Sequence, residues 1–176
     1  PAWVLQAGKK IRPDVTIINI ALSCIDSYRE KLFAVNNLPA LQFKNDADRQ
    51  SSAIVNHFIE KVTDRPIYIS IFVDDDNYKK YSNQMYLTGL SYKYSKEPFD
   101  NLAVIRNNVE NKYLLDFLKQ TFNNNYAQSA VNQMNTGYLA IFLKLYEHYQ
   151  ASGETVKAQK IKELAKNIAE KGNTTD

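Results

Sequence analysis

Apolar residues are spaced in two ways along this chain, and the change from one to the other divides it. Residues 15–23 (VTIINIALS) carry apolar groups on both faces of an extended run, Val15, Ile17 and Ala21 against Ile18, Ile20 and Leu22. Residues 67–73 (IYISIFV), the longest apolar run, repeat the pattern. A strand apolar on both faces is covered on both faces, so these runs predict central strands of a parallel or mixed sheet. Helical spacing lies between them. Ile25, Tyr28 or Arg29, Leu32 and Phe33 mark one face of residues 25–35. In residues 47–63, Ile54, Val55, Phe58, Ile59 and Val62 keep a 3.6-residue period behind an Asn45-Asp46 cap. Residues 2–7 read as the tail of a helix stopped at Gly8, and residues 38–43 as a short edge strand. Residues 85–94 read as one alternating strand with a wet face and a bulge at Gly89.

Past Glu97-Pro98 the alternation ends, and residues 101–122, 126–150 and 154–171 are helical in pattern. The expected fold is therefore α/β, a mostly parallel sheet flanked by helices, followed by a tetratricopeptide-like helical hairpin or bundle. Its divisions are an α/β domain over residues 1–98, a helical tetratricopeptide-like region over 99–172 and a disordered tail over 173–176. Phe142, Leu145, Tyr149, Gly153, Ala158 and Ala165 match the tetratricopeptide spacing, in which large residues of one helix receive small residues of the next. Tyr146 and Lys162 depart from it, with Ile161 and Leu164 placed to fill the gap. One repeat is not a solenoid, so the pair reads as a hairpin docked on its neighbours.

Composition narrows the function classes. The chain has 176 residues and a net charge of +3 with both signs interspersed, which argues against a dedicated nucleic-acid surface. No run of 18 apolar residues is present to span a membrane. Cys24 is the single cysteine, so an intramolecular disulfide is impossible. The chain begins at Pro1 without a methionine, and reads as a fragment whose upstream segment could carry targeting or membrane spans.

Asp74, Asp75 and Asp76 follow the second apolar run at its carboxyl end, where open α/β sheets place ligands. Carboxylates there could hold Mg²⁺ or Mn²⁺ for a nucleotide sugar. The plainer reading is that Asp76 caps a short helix over residues 77–82 and its neighbours are solvated. Tyr78, Tyr81 and Tyr92, with Tyr86 and Tyr94, could form an aromatic platform for a sugar or peptide; half-buried packing is the alternative. His57 and His148 have no partners at metal-ligand spacing. No nucleophile elbow, phosphate loop or dinucleotide fingerprint occurs, and no cofactor is expected.

A resemblance adds to this. Residues 1–6 (PAWVLQ), 11–15 (IRPDV) and 18–22 (INIAL) resemble a "WYLQ…RPDV…VNLSLL" pattern, and residues 65–68, 76–78 and 87–92 resemble "RPIYF…DNY…LEGLAY". Both patterns belong to the soluble carboxyl-terminal region of multi-pass envelope proteins of Gram-negative bacteria, protein O-mannosyltransferase-like glycosyltransferases of unknown specificity. That family carries an acidic "GDNDT" segment just before the position of Pro1, which would put a first strand upstream, and usually has Glu where Thr88 stands. The resemblance implies a periplasmic or cell-envelope location, catalysis in a membrane-embedded part, and protein partners in the envelope. Membrane contact would come only through an upstream segment. The function expected is a non-catalytic accessory or protein-interaction domain of such a protein, or a free-standing relative. Two alternatives stand beside it: a small α/β enzyme domain binding a sugar or nucleotide sugar through Asp74 to Asp76, and a structural subunit of a larger envelope assembly.

Overall fold

A computed structural model describes residues 2–119 and 125–172. It is 59% helical with one small three-stranded antiparallel sheet, which overturns the mostly parallel sheet with flanking helices. The helices are α1 (Ala2–Lys9), α2 (Asp26–Val35), α3 (Ser51–Lys61), α4 (Asn101–Asn111), α5 (Asn125–Asn135), α6 (Gly137–Ala151) and α7 (Thr155–Gly172). The strands are β1 (Tyr68–Ser70), β2 (Met85–Leu87) and β3 (Ser91–Tyr94), in the order β1-β3-β2. The helix expected over residues 101–122 ends at Asn111, and a 3₁₀ turn, Asp116–Lys119, follows; residues 120–122 and the expected tail over 173–176 lie outside the described residues.

The expected strands fail for local reasons. Over residues 15–23 the chain turns at Asn19, whose Oδ1 accepts the Leu22 N–H and whose carbonyl accepts the Ser23 N–H. Such side chain–backbone bonds compete with a sheet ladder, and a 3₁₀ turn, Leu22–Cys24, follows. Residues 38–43 form no strand; Arg29 Nε takes the Leu41 carbonyl at 2.9 Å, a group that a ladder would need. Residues 67–73 are covered on one side only: Ile67, Ile69 and Ile71 alternate inward, and Tyr68 and Phe72 on the other side are more than half exposed. Ile67 packs in one core and Ile71 in the other, while Tyr68 and Ser70 face out of a three-residue β1. Residues 85–94 are a hairpin rather than one strand. Gly89 stands in its two-residue loop at φ +146, closed by the Thr88 N–H on the Ser91 carbonyl.

The chain divides into two compact units. The first comprises residues 1–67 and 74–82. Its core is Phe33, Ile54, Phe58 and Val62, with Ile18, Ile20, Leu38, Leu41 and Phe43 packed against them. The 3.6-residue spacing of α3 brings Ile54, Val55, Phe58 and Ile59 to its buried face. The second unit comprises residues 68–73 and 83–176. It joins the inner face of the sheet to α4, α6 and α7 around Leu87, Ile105, Ile141, Phe142, Leu145, Tyr149, Ala158, Ile161 and Leu164. The register Ile69↔Tyr92↔Leu87 sets that inner face.

Residues 126–150 are helical in pattern but break in two at Thr136–Gly137. A Cβ at Gly137 would press on the side chains of Ile71 and Phe72, so the start of α6 can approach the end of β1 only without one.

Candidate functional site

The acidic triplet follows β1 through a short turn. Asp75–Asn77 form a 3₁₀ turn capped by Asp74, whose Oδ1 accepts the Asp76 N–H at 3.0 Å. The Asn77 side chain returns to the Asp74 carbonyl at 3.1 Å. Asp74, not Asp76, is therefore the cap, and the residues after it continue as 3₁₀ turns rather than an α-helix. One carboxylate oxygen from each of the three lies within 4.8 Å of the others, and all three residues are exposed. Oxygen donors suit Mg²⁺ or Mn²⁺, which demand near-ideal octahedral geometry. Here Asp74 is engaged with the backbone and Asp76 pairs with Lys79 at 3.7 Å. The triplet is a solvated capping turn that offers donors from a single stretch of chain.

The tyrosines expected as a platform are dispersed in role. Tyr78 is buried. Tyr81 donates its hydroxyl to Glu60 Oε1 at 2.9 Å, beside the Lys80 ammonium at 2.6 Å from the same oxygen. Lys80 first, and then Tyr81, holds the Glu60 carboxyl below its ordinary range. Tyr92 lies on the inner face of the sheet against the second core.

The helical hairpin is the best-defined constellation. Phe142, Leu145, Tyr149 and Ala158 are at most 1% exposed, Ile161 and Leu164 are buried beside them, and Ala165 packs at the edge. Lys162 is exposed. The turn is a Schellman motif: Gly153 has φ +74, its N–H meets the Gln150 carbonyl, and the Glu154 N–H meets the Tyr149 carbonyl. Glycine is required there because the left-handed conformation is costly for a residue with a Cβ.

An ion-pair network ties α4, α6 and α7. The Tyr149 hydroxyl donates to Glu110 Oε1 at 2.8 Å, and Lys157 Nζ reaches the same oxygen at 3.0 Å and Glu154 at 2.7 Å. Arg106 stands 3.7 Å from Glu110 and 3.5 Å from the His148 ring. The Tyr149 hydrogen bond, then Lys157, pulls the Glu110 carboxyl down. Burial, then the Glu110 charge, pushes the Tyr149 phenol well up.

Sequence reasoning missed a comparable knot in the first unit. Arg29 is 2% exposed, donates to the carbonyls of Ser23 and Leu41, and pairs with Asp26. Its guanidinium lies 4.4 Å over the Phe43 ring, and Arg49 reaches both that ring and Asp26. Arg49 first, then Arg29, keeps the Asp26 carboxyl low. The signal was present: Arg29 shares the core-facing stripe of α2 with Leu32 and Phe33. No family model, curated protein or solved structure matches the chain.

Proposed function

We propose that this chain is a non-catalytic accessory, protein-interaction domain of a bacterial envelope glycosyltransferase-like protein, or a free-standing relative of one, on the periplasmic side of a Gram-negative envelope. The observation that carries the reading is the α6–α7 hairpin. Its large residues Phe142, Leu145 and Tyr149 share a core with the small Ala158, which supports the tetratricopeptide-like spacing expected from the sequence, and repeats of that kind present surfaces to other proteins. The motif resemblance of residues 1–22 and 65–92 supplies the family, and with it envelope partners and location. The displaced titratable groups fit the same role. Asp26, Glu60 and Glu154 are each held down first by a cation from their own unit, and Glu110 by the Tyr149 hydroxyl and then Lys157, as in structural networks.

The test is purification of the intact native protein from its own membranes, with mass spectrometry of the chain and its companions. A polypeptide continuing into membrane spans, or stoichiometric recovery of one envelope protein, is the expected result. A chain that is soluble and alone refutes the reading. The clustering of three carboxylates within 4.8 Å favours one second reading, a nucleotide-sugar site at Asp74 to Asp76. Mn²⁺ with a nucleotide sugar would then raise the melting temperature, and Asp75→Asn would abolish the rise. An unchanged melting temperature removes that alternative.

A further inference from the structure

Tyr86, set aside by the hairpin and the acidic turn, belongs to a surface that only the sheet register creates. Tyr68, Lys93 and Tyr86 stand directly opposite one another across β1, β3 and β2. Directly paired residues share a face, and this is the face turned away from Ile69, Tyr92 and Leu87. Tyr68 is 55% exposed. Tyr86 meets Phe99 with ring centroids 5.1 Å apart, and Lys93 Nζ lies 4.9 Å from the centre of the Phe99 ring. Ser70 and Ser91 pair in the next row of the same face. Among the described residues Lys93 forms no ion pair, so its ammonium rests on an aromatic face with no carboxylate to neutralise it.

We propose that this outward sheet face docks an acidic saccharide. Pyranose C–H faces would lie on Tyr68 and Tyr86, with a sugar carboxylate meeting Lys93 Nζ between them. The electron-rich ring faces suit C–H groups, and the unneutralised cation suits one negative charge at the centre of the row. Two interstrand steps of about 4.8 Å separate the outer tyrosine backbones by about 10 Å, the reach of a disaccharide. An acidic peptide fits less well. Extended peptides are held through their main chain along a strand edge, whereas this row runs across the strands. The surface stands or falls independently of the accessory-domain reading.

Titration of the full chain with oligogalacturonate, followed by calorimetry and by amide shifts of β1 and β3, tests it. Malto-oligosaccharide and short polyglutamate serve as the neutral and peptidic comparisons. The expected result is saturable binding of the acidic sugar alone, weakened by added salt. Lys93→Met should lower the affinity about tenfold, and Tyr68→Ala, an exposed position, about fivefold. Both variants should keep the parent's melting temperature to within a few degrees, which separates lost binding from lost folding. Equal binding of the neutral sugar, preferential binding of polyglutamate, or no binding at millimolar sugar each overturns the proposal.

Discussion

Replacing Ala158 by Leu probes the hairpin at its tightest point. Ala158 is fully buried in α7, within the core cluster that holds Phe142, Leu145 and Tyr149. Leucine adds three carbons where the interior is already close-packed, and neighbouring rings must leave their rotamers or the two helices must part. Overpacking of this kind costs about 1–3 kcal/mol. With a urea slope of roughly 2 kcal/mol/M, a loss of about 2 kcal/mol moves the unfolding midpoint down by about 1 M. The assay is urea unfolding followed by far-ultraviolet circular dichroism, with near-ultraviolet tyrosine signals reporting packing. Val156→Leu is the control: Val156 is 84% exposed on the same helix, and its change should stay within about 0.5 kcal/mol. A midpoint for Ala158→Leu indistinguishable from that control would refute the large-to-small packing.

Three further outcomes are expected. Glu110 has its carboxyl depressed in the folded state, so its contribution is fully present above the unfolded value near 4.3 and is lost as pH falls through the folded value. The stability gap between the parent and Glu110→Gln should therefore close on acidification from about pH 5; a gap unchanged down to pH 3 would exclude the linkage. Gly89→Ala should cost about 1–3 kcal/mol, because φ +146 suits only glycine and the new methyl would strike the Tyr113 hydroxyl that receives the Leu90 N–H. A thermal melt within 1 °C of the parent, by the roughly 2–4 °C expected per kcal/mol at this size, would contradict it. Arg29→Lys should cost upwards of about 2 kcal/mol, since an ammonium cannot span Ser23, Leu41 and Asp26 at once. Full chemical stability of that variant would show the guanidinium fork to be dispensable.

Helical order was legible in the sequence wherever one element buries one stripe. The stripe of α3 and the large and small positions of α6 and α7 follow from a 3.6-residue period, and that period alone selects the residues that turn inward. Gly153 was legible for the same reason, since a glycine after a periodic run ends a helix. The sheet was not. An apolar run cannot state whether both of its faces are covered, and in residues 67–73 only the Ile67–Ile69–Ile71 side proved to be, with Tyr68 and Phe72 left exposed. Side chains that take up backbone groups, Asn19 on Leu22 and Arg29 on Leu41, cancelled two further strands without changing the hydrophobic pattern. The Tyr68–Lys93–Tyr86 row is a property of register, which pairs Lys93 with residues 25 and 7 positions away in the chain and is not given by hydrophobic periodicity. Local periodicity determined the helices of this protein and the residues of its helical core. Long-range pairing, decided only when the strands met, determined its sheet and the surface that the sheet displays.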